Sequence, residues 1–131
     1  MAMLGKEVRM SRLVNLKSNK MMEITWDHAI SRGIAPMTGL PPIAITMTKG
    51  IAERCMYQHA GKVSILLKCS SYAPVHPTKD IAFGTVEEAV RMGADAVSIG
   101  AMTLGDYQDV QFAEIGRFSE ECMRLGMPLI G

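Results

Sequence analysis

The sequence predicts an α/β fold built on a parallel sheet, and three observations predict it. Apolar runs of strand length recur along the chain, each apolar on both faces, as strands covered by helices are. Helix signals stand between these runs in the second half, which is the alternation of a parallel α/β sheet. The polar residues able to do chemistry gather where the runs end.

Taken in order, the first segment, "MAMLGKEVRMSRLVNLKSNK", is basic but lacks the apolar core and cleavage site of a secretory signal. The first strand is Met21 to Trp26, "MMEITW", and it stops at Asp27-His28. The next sixteen residues, "DHAISRGIAPMTGLPP", are rich in Gly and Pro and show no helix, although a parallel crossover normally contains one. The second strand is Ile43 to Thr48. "KGIAERCMYQHAGK" is a short helix at best, and Val63 to Cys69 is the third strand. "SSYAPVHPTKDIAFG" has no periodicity and reads as a long loop, a feature that is usually functional or mobile.

The clearest punctuation follows. Thr85 and Glu88 form a T-x-x-E capping box that opens a helix at Val86 to Met92, and Gly93 supplies its left-handed stop. Asp95 to Ala101 is the fourth strand. Asp106 can cap a second helix with Asp109 in its first turn. Val110, Phe112, Ala113, Ile115, Phe118, Cys122 and Leu125 give that helix an apolar face, Gly126 stops it, and "MPLIG" begins a fifth strand.

Composition narrows the function. At 131 residues, 48% hydrophobic and 21% charged, the chain suits one domain with a core. A net charge of +1 without a basic block points to no nucleic acid, and no apolar run approaches a membrane span. Cys55, Cys69 and Cys122 are odd in number and widely spaced, which fits reduced thiols in the cytoplasm. No CxxC or HxxxH spacing proposes a metal, and the twelve methionines read as core filling. Neither phosphate-loop glycine motif of a nucleotide-binding domain is present.

In parallel α/β folds, ligands bind at the carboxyl ends of the strands. Strand one ends in Asp27-His28, strand two in Thr48-Lys49-Gly50, strand three in Lys68-Cys69-Ser70-Ser71, and strand four near Met102-Thr103. A carboxylate and lysines on one rim are equipment for proton transfer beside a carbonyl or imine. Each residue also has a purely structural use. Asp27 can cap a turn, His28 can be a satisfied loop imidazole, Lys49 can snorkel, and Lys68 can pair with a neighbouring acid.

Several stretches together resemble the archaeal-type class I aldolases, which include fructose-bisphosphate aldolase and aminodideoxyheptulosonate synthase. "GKEVRMSRLVNLKSNKMMEITWDHAISRG" resembles the family's opening, and "TMTKGIA" its second strand. "GTVEEAVRMGADAVSIG" and "EIGRFSEECMRLGMPLI" resemble its fourth strand and the helix leading to its fifth. The resemblance implies a (β/α)8 barrel and a Schiff-base mechanism without cofactor or metal, in which a lysine on a late strand attacks the ketone of a sugar phosphate. It implies that Asp27 moves protons at the imine with His28 beside it, and that Lys49 and Lys68 are substrate-binding rim residues.

The chain departs from the family at three places. Ala29 stands where the family usually has Gly, about one helix of sequence is missing before "IAITMTKG", and the chain stops at the fifth strand, ahead of the family's catalytic Tyr and lysine. An eight-stranded barrel takes about 250 residues. The fold expected is therefore a single incomplete α/β-barrel domain over residues 1–131, with about five parallel strands. The function expected is that of a cytoplasmic lyase of carbohydrate metabolism, a fructose-bisphosphate aldolase type of glycolysis. It takes a small sugar phosphate or keto substrate and forms a homo-oligomer. A synthase-type transaldolase of aromatic amino-acid biosynthesis and a non-catalytic fragment are the alternatives.

Overall fold

The computed structural model describes residues 2–26 and 44–131. Among these, five strands form one parallel sheet: β1 (Glu23–Trp26), β2 (Ala44–Thr48), β3 (Ser64–Lys68), β6 (Ala96–Ser98) and β7 (Leu129–Ile130), neighbours in that order. β4 (Ser70–Ala73) and β5 (His76–Ala82) form a separate antiparallel hairpin. The helices are α1 (Ala2–Leu13), α2 (Lys49–Cys55), α3 (Val86–Arg91) and α4 (Gln108–Leu125). Five strands in sequence order, with helices on one face, make a partial (β/α)8 barrel.

Each strand has two unlike faces, which corrects the expectation that both are apolar. The residues at odd positions of β2 and β3, Ile45, Met47, Ile65 and Leu67, join Val97 and Leu129 in the main core. There they pack with Ala52 and Met56 of the α2 region, Val86 and Ala89 of α3, and Phe118 and Cys122 of α4. The alternate residues turn to the other side, the barrel interior. The register there aligns Glu23, Ala44 and Ser64, then Thr25, Thr46, Leu66 and Ala96, then Thr48, Lys68 and Ser98. Most are polar, and Thr46 Oγ1 donates to Glu23 Oε1 between neighbouring strands.

The N-terminal segment, given no structure by its sequence pattern, is a helix that seals the floor of this interior. Leu13 is fully buried against Ala44, Leu66 and Ala96. Around it, Arg9 Nη1 donates to Gly126 O at 2.9 Å, Arg12 Nη1 reaches Asp95 Oδ1 at 3.0 Å, and Ser64 Oγ donates to Arg12 O at 3.2 Å. Gly126, Asp95 and Ser64 all sit at or just before the starts of strands, so α1 lies across the amino ends of the sheet.

The helix stops are as read. Thr85 Oγ1 accepts from Glu88 N while the Glu88 carboxylate accepts from Thr85 N, a complete capping box. Gly93 and Gly126 hold φ of 73° and 63°, where a side chain is strained. α4 begins at Gln108 behind Tyr107, not at the Asp106 cap expected. The stretch read as an unstructured loop is the β4–β5 hairpin, with a register shift at Tyr72/Ala73.

Candidate functional site

Parallel register brings the carboxyl ends of the strands to one rim. Lys68 is the last residue of β3, paired in register with Thr48 on one side and Ser98 on the other. Its neighbour Leu67 lies in the helix-side core, and Leu66, two residues before it, packs with Leu13 inside. Lys68 therefore faces the interior at the mouth, half-buried, between two hydroxyl-bearing residues of the same face. All seven lysines of the chain are described, and the other six lie elsewhere, on helices, turns or the hairpin.

Lys49 is not brought into this row. It opens α2, is exposed, and its Nζ stands 2.5 Å from Glu88 Oε1 of the capping box. That hydrogen bond and charge raise the Lys49 pKa, and the hydrogen bond from Lys49 in turn lowers that of Glu88. Lys49 directly follows the end of β2, and its ammonium turns to the helix layer. Asp27 and His28 lie outside the described residues. The strand that leads to them ends at Trp26, in register with Met47, at the same end of the sheet as Thr48 and Lys68.

A second polar group, missed in the sequence, stands one pleat beyond Lys68 and Ser98. Gly100 N donates to Ser70 Oγ at 2.8 Å and to Asp80 Oδ2 at 3.1 Å. Asp80 is 9% exposed, and its backbone carbonyl accepts from Nε2 of buried Gln111 at 2.9 Å. A side chain at Gly100 would begin 2.6 to 2.7 Å from the Asp80 carboxyl group. The only sequence signal was the glycine after "AVSI", where alternation carries Ala96, Ser98 and Gly100 on one face. Asp80 itself gave none, because its strand lacks an alternating apolar pattern.

The buried thiols are not equipped as nucleophiles. Burial pushes Cys69 up to about 12 and Cys122 up to about 11, so both stay protonated at neutral pH. Among the described residues, no group of three or more His, Cys, Asp or Glu side chains is placed to hold a metal ion. No described helix is long and apolar enough to cross a membrane. What the rim offers is an ammonium with hydroxyls beside it, suited to the oxygens of a carbonyl, polyol or phosphate.

Comparison with known proteins bears on the family and the fold. The profile of the DeoC/LacD family aldolases matches residues 15–130. The 2-amino-3,7-dideoxy-D-threo-hept-6-ulosonate synthase 1 of Archaeoglobus fulgidus is 30% identical over 98% of this chain and 53% of its own length. The 2-amino-4,5-dihydroxy-6-oxo-7-(phosphonooxy)heptanoate synthase of Streptomyces griseus is 25% identical over 96% of this chain and 51% of its own. A solved Schiff-base-forming fructose-1,6-bisphosphate aldolase shares the fold with a TM-score of 0.76 at 21% identity, covering 95% of this chain and 55% of that one. An archaeal fructose 1,6-bisphosphate aldolase gives 0.72 at 19% identity over the same shares. The chain spans about half the length of these relatives.

Proposed function

Because this chain belongs to the DeoC/LacD family of aldolases, we propose that it supplies the amino-terminal half of a Schiff-base aldolase site for a phosphorylated ketose. The observation that carries the reading is the inward-facing Lys68 between Thr48 and Ser98, at the end of the sheet where β1 runs into Asp27-His28. In such chemistry an amine attacks the keto carbon, water leaves, and the iminium takes up the electron pair of the breaking carbon–carbon bond. Asp27 takes and returns the protons of these steps, with His28 beside it. Lys68 holds substrate oxygens as a cationic donor. By resemblance, the imine-forming lysine belongs to a later strand than the five described. Lys49 has a structural role instead, at the α3 N-terminus.

A second reading within the family is the synthase type, in which the ketose-derived fragment is transferred to another carbonyl compound. The relatives from Archaeoglobus fulgidus and Halobacterium salinarum, at 30% and 27% identity and both named as such synthases, favour it. Assaying cleavage of fructose 1,6-bisphosphate against transfer to an aspartate-derived semialdehyde separates the two. In the active protein, Asp27→Asn lowers either rate by about 10²- to 10⁴-fold, the range of a lost acid–base group. Wild-type turnover in that variant would remove Asp27 from the mechanism. Absence of both reactions, with no borohydride-trapped adduct of dihydroxyacetone phosphate, would remove the proposal.

A further inference from the structure

We infer that Asp80 is a positioning residue, which staples the exits of β3 and β6 together so that Lys68 and Ser98 stand at a fixed separation for the substrate. The inference rests on the aldolase reading of the rim; the staple itself is read from geometry. Ser70 follows Lys68 by two residues and Gly100 follows Ser98 by two, so both continue the inner face one pleat nearer the mouth. Gly100 N is shared between Ser70 Oγ at 2.8 Å and Asp80 Oδ2 at 3.1 Å. One amide of the β6 exit is thus held by a side chain of the β3 exit and by a carboxylate from the returning strand of the hairpin.

The carboxylate occupies the space where Gly100 would carry a side chain, so the fit is steric as well as polar. Its own strand is fixed from behind by Gln111 Nε2 on the Asp80 carbonyl at 2.9 Å. The two residues before it grip the same loop. Thr78 packs where a Cβ on Gly105 would come within 3.0 Å, and Lys79 Nζ lies 4.9 Å from the Tyr107 ring centroid. Three consecutive residues of β5 therefore hold positions 100, 105 and 107. A hairpin that served only to connect β3 with α3 would need no buried carboxylate, since desolvating one without strong partners is costly. Hydrogen bonds from a backbone amide to a carboxylate are among the stronger ones, and here they are spent at the strand ends that carry Lys68 and Ser98.

The test compares Asp80→Asn, Asp80→Ala and Gly100→Ala with wild type. Dihydroxyacetone phosphate is titrated by calorimetry, well below each variant's melting temperature. Asparagine keeps an oxygen for Gly100 N, so Asp80→Asn binds within about threefold of wild type. Asp80→Ala and Gly100→Ala raise Kd by about tenfold or more. The double variant Asp80→Ala/Gly100→Ala removes the collision, so it binds no more weakly than Asp80→Ala alone. If Asp80→Ala melts lower yet keeps the wild-type Kd, Asp80 is a fold residue only and the inference fails. If Asp80→Asn loses binding as fully as Asp80→Ala, the amide staple is not the cause and the inference also fails. The titrations use the protein with both halves of the site present. Wild-type protein of that kind giving neither heat nor a borohydride-trapped adduct with this ketose phosphate overturns the aldolase reading, and with it the role given to Asp80.

Discussion

Replacing Leu13 by alanine tests whether α1 is part of the barrel or an appendage. Leu13 is 0% exposed and packs against Ala44, Leu66 and Ala96, with Val14 and Ile130 at the margin. The change removes three side-chain carbons, and at about 0.8 kcal/mol per buried methylene the transfer loss is about 2.4 kcal/mol. Two of the three buried neighbours are alanines, which have no side-chain atoms able to swing into the gap. If roughly 50 Å³ stays open, the cavity adds about 1.2 kcal/mol at about 24 cal/mol per Å³. The expected loss is therefore about 3.5 kcal/mol, inside the range of about 2–5 kcal/mol seen for buried Leu→Ala changes. Urea unfolding followed by circular dichroism reads it as a lower midpoint with an unchanged slope. Leu13→Met should cost less than about 1.5 kcal/mol, because it nearly conserves volume. A loss below about 1 kcal/mol for Leu13→Ala would show that the helix does not seal the barrel floor, and the assignment of an inner face would lose its anchor.

Other expectations follow from the same packing. Lys68→Met weakens binding of dihydroxyacetone phosphate at least tenfold, whereas Lys49→Met stays within twofold; equal effects would return Lys49 to the site. Thr85→Ala removes the α3 cap and costs about 1 kcal/mol of stability by urea unfolding, and no change would mean that the capping box is idle. Native protein treated with iodoacetamide and mapped by mass spectrometry should be modified at exposed Cys55, not at buried Cys69 or Cys122. Burial raises the Cys69 pKa from 9.0 to about 12, so the folded state holds that proton more tightly than the unfolded one. Its contribution to stability is present below the ordinary thiol pKa and is lost as pH rises towards 12. Denaturation midpoints measured between about pH 8 and 10.5 should fall more steeply in wild type than in Cys69→Ala, and parallel curves would contradict the burial effect.

Legibility in the sequence followed how local each cause is. The capping box at Thr85 and Glu88 and the left-handed stops at Gly93 and Gly126 depend on a few adjacent residues, and they stand where the pattern put them. The five strands were found because apolar runs of that length have few other uses. Their two faces were missed because "IAITMT" and "VSILLKC" look apolar throughout. Only the register separates Ile45, Met47, Ile65 and Leu67 from Thr46, Ser64 and Lys68. The hairpin was invisible for a related reason. "HPTKDIA" has no alternating apolar face, and its strand exists because Asp80, Thr78 and Lys79 find partners twenty or more residues later. α1 was missed because a helix crossing the strand ends at a few points, chiefly Leu13, needs no continuous apolar stripe.

The division between the two faces also explains why an ammonium can stand on β3. Barrel interiors are usually filled by bulky aliphatic side chains in layers. Here Leu13 closes the floor against Ala44, Leu66 and Ala96. The row of Thr46, Leu66 and Ala96 lies above that of Glu23, Ala44 and Ser64, with Thr46 bonded to Glu23 between them, and Lys68 comes only in the row at the mouth. Placed one row lower, its charge would lie among Leu13, Ala44 and Ala96, where desolvation is most costly. Placed one row higher, it would stand where Ser70, Gly100 and Asp80 lock the exits together. The row it occupies is polar, lies at the carboxyl ends of the strands, and flanks the half-buried Lys68 with Thr48 and Ser98. The helix-facing residues of the same strands meet none of these demands and are free to be apolar. Stability and the proposed chemistry thus fall to alternate residues of one strand, and a substitution on β3 should affect one or the other according to its parity.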